Sequence, residues 1–186
     1  MKRIIIVIFS VLLLSCGCRS KKIFSDNLST MANSTSEEQA KYFREQSTWI
    51  LGYFTKERLS SPPHSEWYND AYENYQYNTE AADKLIKIRT DDLTIKIVMG
   101  SWCPDSRREV PRFMRIMDLW KFPVENIKFI GVDDAKLSPA GEYENLDIQR
   151  VPTFIIYKNN IEAGRIIENP LTSLEQDIIN ILKTDM

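Results

Sequence analysis

The order of predicted strands and helices after Asp91-Asp92 limits the fold of this chain more than any other feature. Seven hydrophobic segments of strand or helix character follow one another, at residues 94–99, 104–121, 127–132, 140–146, 153–157, 161–167 and from Leu174 onward. Their order is β-α-β-α-β-β-α. The first β-α-β predicts a parallel pair with a right-handed crossover, and the hairpin around Asn159-Asn160 adds antiparallel strands. The pattern predicts an α/β fold with a mixed central sheet flanked by helices.

The part of the chain before this core is predicted to be helical. Ser36-Glu37-Glu38-Gln39 has the form of a capping box, and apolar residues follow at helical spacing as far as Phe54. Pro62 and Pro63 interrupt the pattern, and a second helix is predicted over residues 66–88. We expect residues 36–90 to form N-terminal helices that pack on a core of residues 91–186. His64, the single histidine, is expected to be a solvated loop residue.

The N-terminus has the pattern of a secretory signal. Lys2 and Arg3 precede residues 4–14, eleven residues in which Ser10 alone is polar, too few to span a bilayer comfortably. Leu13-Leu14-Ser15-Cys16 then resembles the lipobox of bacterial lipoproteins, which implies a signal peptide over residues 1–15 and a lipid on Cys16. Cys18 is the rival site, and a plain signal peptide is the alternative.

The proposed lipidation defines the predicted location. The polar residues 16–35 are predicted to form a flexible tether between the lipid and the domain. We expect a periplasm-facing lipoprotein in the cell envelope, on the inner or outer membrane.

Charge and ligand-forming residues exclude several classes of function. The chain has 24 basic and 26 acidic residues and no basic stripe with interleaved aromatic residues, so nucleic acid is not an expected partner. One histidine and three cysteines in two places do not supply a zinc-type ligand set. No metal or other cofactor is predicted.

Trp102-Cys103-Pro104-Asp105-Ser106 lies between a predicted strand and the start of a predicted helix. The free N–H groups and partial positive charge of a helix N-terminus favour a thiolate, the nucleophile in disulfide exchange. We expect Arg107 and Arg108 to add to this effect and Asp105 to oppose it. Ser106, one turn on, has a hydroxyl placed to donate to the sulfur. The alternative is a structural cysteine.

These residues, with others in the same order, resemble the thioredoxin superfamily. Trp102-Cys103-Pro104-Asp105 is similar to its Trp-Cys-x-x-Cys motif, Pro111 stands where thioredoxins kink the active-site helix, and residues 147–160 are similar to their cis-proline segment and following strand. The resemblance implies a thioredoxin fold with an N-terminal helical extension. It also implies a cis Val151–Pro152 bond facing Cys103, with Trp102, Val151 and Pro152 binding an extended substrate. A trans proline is the alternative.

The chain departs from the family pattern at two positions. Ser106 replaces the second cysteine of the motif, and Ile97 stands where thioredoxins bury an aspartate that assists proton transfer. A dithiol site resolves its own mixed disulfide, whereas a single thiol requires a second thiol from elsewhere. Both departures argue against ordinary thioredoxin-type reductase turnover.

Three functional hypotheses remain. The first is monothiol thiol–disulfide exchange, as an oxidoreductase or isomerase, between Cys103 and thiols or disulfides of exported proteins. The second is a thioredoxin-fold module that binds an envelope protein without redox turnover, so the assignment as an enzyme stays open. The third is a glutathione-linked glutaredoxin, although the chain lacks the Gly-Gly pair that glutaredoxins carry after the hairpin.

Overall fold

The computed structural model describes residues 38–41 and 47–184. The predicted signal peptide, Cys16, Cys18, the tether and part of the proposed capping box lie outside the described residues. Residues 38–41 are helical and belong to a different compact unit from residues 47–184. None of the described helices is long and apolar enough to cross a bilayer.

The larger unit contains five strands, five α-helices and two short 3-10 turns within its described residues. The strands are β1 (Gly52–Phe54), β2 (Leu93–Met99), β3 (Ile127–Gly131), β4 (Thr153–Lys158) and β5 (Ile161–Ile167). The helices are α1 (Lys56–Leu59), α2 (Ser65–Glu73), α3 (Thr79–Leu85), α4 (Pro104–Trp120) and α5 (Leu174–Thr184). The 3-10 turns are Val124–Asn126 and Tyr143–Leu146.

The strands form one mixed sheet in the order β1-β3-β2-β4-β5. β2 and β3 are parallel, with Ile95 opposite Ile127, and β4 runs antiparallel to β2 on its other side. β5 continues the hairpin from β4, as the Asn159-Asn160 turn predicted. The predicted α/β fold with a mixed central sheet and flanking helices is confirmed.

Helix α4 crosses between the parallel strands and contributes much of the core. It buries a face made of Val110, Phe113, Met114, Met117 and Trp120. The ring of Phe113 stacks on Phe154 of β4 with centroids 4.3 Å apart. This packing fixes the first turn of α4, and therefore Cys103, relative to the sheet.

Two predictions about the N-terminal half are wrong. The helical spacing predicts a helix as far as Phe54, but Gly52–Phe54 is a strand paired antiparallel with β3. The φ angle of Gly52 is +74°, which no helix contains, and the free edge of β3 supplies hydrogen-bond partners for this segment. The helix predicted over residues 66–88 is two helices, because Asn78 caps α3 by accepting the amide of Ala81 at 3.2 Å.

His64 is also placed differently from the prediction. Its side chain is only 3% exposed and lies edge-on to Trp67, with ring centroids 5.8 Å apart. The α2 helix that begins at Ser65 carries this part of the chain into the protein instead of leaving it in a solvated loop. Burial and the positive charges of Arg58 and Arg107 lower the pKa of the imidazole.

Candidate functional site

Cys103 is the N-cap residue of α4, directly before the helical Pro104. Its thiol is 6% exposed and donates a hydrogen bond to the carbonyl oxygen of Val151, with Sγ and O 3.3 Å apart. The backbone carbonyl of Cys103 accepts the amide of Arg107 at 3.0 Å, which begins the helix. The sulfur therefore lies at the helix N-terminus and against the loop before β4, as the sequence predicted.

The loop opposite the thiol contains a cis peptide bond between Val151 and Pro152. This agrees with the prediction made from the family resemblance. The carbonyl of Pro152 accepts the amide of Glu168 at 2.7 Å, so the loop is tied to the residue that follows β5. Thr153 Oγ1 donates to the carbonyl of Arg150 at 2.6 Å and closes the loop on its other side. Of the three proposed substrate-binding residues, Val151 and Pro152 are buried in this structure and Trp102 is half-buried.

Ser106, at the position of the missing second cysteine, is fully buried. Its hydroxyl oxygen accepts the backbone amide of Gly100 at 3.3 Å. The sequence predicted instead that this hydroxyl donates to the sulfur of Cys103. The bond that the structure shows connects the first turn of α4 to the end of β2, which gives Ser106 a structural contact beside the thiol.

Trp102 covers the strand end next to Cys103. Its indole N–H donates to the carbonyl of Val132 at 3.1 Å, and its ring is tilted against Trp49, with centroids 6.3 Å apart. A Cβ atom on Gly100 would lie 2.5 Å from Cε2 of Trp102. Only glycine therefore allows the indole to pack this closely on the backbone.

The arginines expected to favour the thiolate are held by other partners. Arg107 donates through Nε to the carbonyl of Ser101 at 2.6 Å, and its guanidinium lies 5.9 Å from the ring of Trp67. Arg108 forms ion pairs with Asp105 and Glu109, each at 2.6 Å. The carboxylates offset the charge of Arg108, whereas the partner of Arg107 is an uncharged backbone carbonyl. The roles predicted for Asp105, Arg107 and Arg108 stay predictions.

Two residues near the site were not found from the sequence. Ser101 is 2% exposed, and its hydroxyl accepts the amide of Ile50 at 3.0 Å, which ties the site to the segment before β1. Glu109 is a buried carboxylate between Arg108 and Arg112. The contact with Ile50 joins residues 51 positions apart, which no local pattern reveals. For Glu109, the signal in the sequence is the pair of arginines on either side of it, Arg108 and Arg112, which are spaced to form ion pairs with it on a helix.

No group of three or more histidine, cysteine, aspartate or glutamate side chains that could hold a metal ion occurs in residues 38–41 and 47–184. Cys103 is the one free cysteine of these residues. The chemistry that the described site offers is therefore that of one thiol between a helix N-terminus and a backbone carbonyl.

The family model described as thioredoxin matches residues 57–176, well over half of the chain. The chain belongs to the thioredoxin family. The matched region of this thioredoxin-family protein includes β2, α4 and the Val151–Pro152 loop, and it also takes in α1, α2 and α3. The match therefore begins more than thirty residues before the predicted start of the core at residue 91.

Several solved structures are similar to this thioredoxin-family chain. A protein of unknown function from Pseudomonas aeruginosa is 13% identical over 66% of this chain and 82% of its own, with a TM-score of 0.46. A chain from a structure on the thiol resolving mechanism in yeast mitochondrial 1-Cys peroxiredoxin via glutathione/thioredoxin systems is 22% identical over 59% of this chain and 97% of its own, at a TM-score of 0.37. A thioredoxin from Trypanosoma brucei brucei is 25% identical over 58% of this chain and 88% of its own, at a TM-score of 0.34. No curated protein matches the sequence.

Proposed function

We propose that this thioredoxin-family protein carries out monothiol thiol–disulfide exchange through Cys103 in the cell envelope. The observation that carries the proposal is the position of the sulfur, at the N-terminus of α4 and 3.3 Å from the carbonyl of Val151. Ser106 stands at the place of a resolving cysteine, and its oxygen is hydrogen bonded to Gly100. A single nucleophilic sulfur therefore has to work with a second thiol from outside the site.

The proposed exchange has two steps. The Cys103 thiolate attacks one sulfur of a substrate disulfide, forms a mixed disulfide and releases the other substrate sulfur as a thiolate. A second thiol, from the substrate itself or from a small molecule, then attacks the mixed disulfide and restores the Cys103 thiolate. When the second thiol belongs to the same substrate, the outcome is isomerisation. When an external thiol attacks the substrate sulfur, it releases the Cys103 thiolate and forms a mixed disulfide with the substrate. A second external thiol then attacks that mixed disulfide, so the substrate leaves as a reduced dithiol and the two external thiols as one disulfide.

The proposed substrates are thiols and disulfides of exported proteins, presented as extended segments along the loop at Val151 and Pro152. The carbonyl of Val151 is a backbone acceptor beside the sulfur, and Trp102 supplies an aromatic surface next to it. A main-chain contact of this kind recognises many sequences, which suits a protein that acts on more than one partner.

Lipidation of Cys16 is the proposed basis of the location. The lipobox-like sequence Leu13-Leu14-Ser15-Cys16 supports it, and so does the short apolar segment that precedes it. Labelled palmitate is expected to enter the wild-type protein and Cys18→Ala but not Cys16→Ala. Equal labelling of Cys16→Ala would reject lipidation at this residue.

Trapping in an oxidising cell envelope tests the exchange chemistry. Wild type is expected to accumulate mixed disulfides with exported proteins, which reducing agent releases and mass spectrometry identifies. Cys103→Ala should lose these adducts, whereas Ser106→Ala should keep them because it lacks only the hydroxyl that bonds to Gly100. Adducts that survive in Cys103→Ala would assign the reactive sulfur elsewhere.

The low exposure of Cys103 favours a second candidate, a binding module without redox turnover. At 6% exposure the thiol is accessible to a partner only if the loop around Val151 yields or docks with it. The rate of iodoacetamide alkylation separates the two functions. An exchange site reacts faster than a free cysteine, whereas a Cys103 that reacts more slowly would favour the binding module.

A further inference from the structure

A cavity lies at the end of the sheet opposite Cys103. It is about 570 Å³ in volume and opens where β2 begins at Leu93 and β4 ends at Lys158. This volume falls within the range of small-molecule sites. Because Cys103 follows the other end of β2, the cavity and the thiol are separated by the length of the strand.

The floor of this cavity is apolar. Leu93, Ile179 and Leu182 are buried, and Ile88 packs against the same core while remaining partly exposed. α3 and α5 pack against each other beside it, so the cavity lies next to two helices as well as the sheet end. A floor of this composition favours a hydrocarbon group over a polar one.

The rim of the cavity is strongly basic. Its lining includes one acidic residue, Asp92, and five cationic ones, namely Lys84, Lys87, Arg89, Lys158 and Lys183. An apolar floor with this excess of positive charge fits a ligand with an alkyl chain and an anionic head group.

The positive charge is only partly offset by neighbouring carboxylates. Lys84 pairs with Glu80 at 2.6 Å and Arg89 with Asp91 at 2.9 Å, both on the exposed surface, where such pairs contribute little. Lys87, Lys158 and Lys183 form no ion pair with the residues that the structure describes. Three flexible ammonium groups are therefore available to a ligand at this rim.

We propose that this cavity binds a single-chain amphiphile with an anionic head group, of the class of long-chain carboxylates. The alkyl chain lies against Ile88, Leu93 and Leu182, and the carboxylate meets the ammonium groups of Lys87, Lys158 and Lys183. The site is separate from the exchange chemistry at Cys103, since its lining includes neither Cys103 nor Val151 and Pro152.

Fluorescence titration with dansyl-labelled undecanoate tests the proposal on residues 19–186, which keep the whole compact unit that contains the cavity. Saturable binding of one probe per chain is expected. Laurate should displace the probe, lauryl alcohol should displace it more weakly, and laurylamine should fail at the same concentration. Cys103→Ala should bind the probe as wild type does.

Replacing lysine by methionine removes the positive charge while keeping a long side chain, and this tests whether the basic rim binds the carboxylate. The triple substitution of Lys87, Lys158 and Lys183 by Met is expected to weaken laurate by about tenfold and to leave lauryl alcohol unchanged. The matched control replaces Lys56, Lys128 and Lys136, none of which lines the cavity, by Met and should bind laurate as wild type does. Ile88→Glu should lose the probe, with circular dichroism confirming that the variant is folded.

Three results would overturn the proposal. One is equal binding of laurate, lauryl alcohol and laurylamine, which would remove the role of the rim. Another is probe binding only after deletion of residues 185 and 186, which would mean that these two residues, and not an external ligand, occupy the cavity. The third is binding to phosphatidylglycerol vesicles without binding of soluble laurate, which would make this face a membrane contact.

Discussion

At the scale of single residues, the contrast between Cys103 and Ser106 defines the site. The sulfur faces the Val151 carbonyl, while the Ser106 hydroxyl oxygen accepts the amide of Gly100. The two side chains lie one helical turn apart, yet their hydrogen bonds lead to different elements. Ser106 therefore makes a structural hydrogen bond at the position where a dithiol site would have its resolving cysteine.

Ser106→Cys is expected to create a dithiol site with insulin-reductase activity that the wild type lacks. The new sulfur lies one turn from Cys103, close enough for a disulfide in this fold. The assay follows insulin turbidity with dithiothreitol for soluble wild type, Ser106→Cys, Cys18→Ala and Cys103→Ala. Ser106→Ala is the matched control, since it loses the Gly100 contact without gaining a thiol. Strong wild-type turnover that survives Cys18→Ala would contradict the need for a second sulfur.

His64 is expected to make stability depend on pH below its ordinary pKa of 6.5. Burial, Arg58 and Arg107 lower its pKa in the folded protein, so the unfolded chain binds the proton more readily. The contribution is complete above about pH 6.5 and is lost as the pH falls toward the lowered value, at no more than about 1.4 kcal/mol per pH unit.

Urea unfolding of wild type and His64→Gln at several pH values from 5 to 8 measures this dependence. The amide of Gln does not titrate, so the difference in unfolding free energy between the two proteins should shrink as the pH falls. A difference that stays constant with pH would show that the buried imidazole does not control stability.

At the scale of secondary-structure elements, turns and caps end helices at positions that the hydrophobic spacing alone does not predict. Asn78 is the last residue of the segment that connects α2 to α3, and its side chain accepts the amide of Ala81. Asn78→Ala is expected to lower the free energy of unfolding by about 1 kcal/mol. Asn74→Ala is the control, because the side chain of Asn74 donates to the exposed side chain of Asp70 and its loss should change stability by less than half as much. Equal losses in urea titrations would remove the special role of the cap.

Elements with strong local signals were predicted from the sequence, whereas those defined by distant partners were not. The hairpin strand at residues 161–167 and the α5 helix from Leu174 follow from turn residues and apolar spacing, and both are found there. Gly52–Phe54 carries no strand signal of its own, because its conformation depends on the edge of β3. The same reason explains why Cys103 was found and its neighbour Ser101, held by Ile50, was not.

At the scale of the whole molecule, the segment before residue 91 is part of the main core. Leu59 and Leu85 are both fully buried, and they belong to the same cluster as Phe113 and Phe154. β1 also covers one edge of the sheet. The sequence predicts that residues 36–90 pack on a core of residues 91–186, and the apolar contacts of Leu59 and Leu85 run across that boundary.

A chain of residues 91–186 alone is expected to fold poorly, because it exposes the surfaces that Leu59, Leu85 and β1 cover. A chain of residues 47–186 keeps those contacts and should unfold cooperatively. Circular dichroism and urea titration of the two chains, with full-length protein as reference, measure the difference. Equal stability of the two chains would show that residues 47–90 are an added extension and not part of the core.

The bond from the Cys103 thiol to the Val151 carbonyl has a consequence for when the protein accepts a substrate. A thiol donates this bond only while it carries its proton, and neither a thiolate nor a disulfide sulfur has a proton to give. Deprotonation or oxidation thus leaves the carbonyl without its internal donor and ready to receive an amide from an incoming chain. In the proposed exchange, the resting thiol therefore occupies the carbonyl that a substrate amide would bind, and loss of the thiol proton frees that carbonyl.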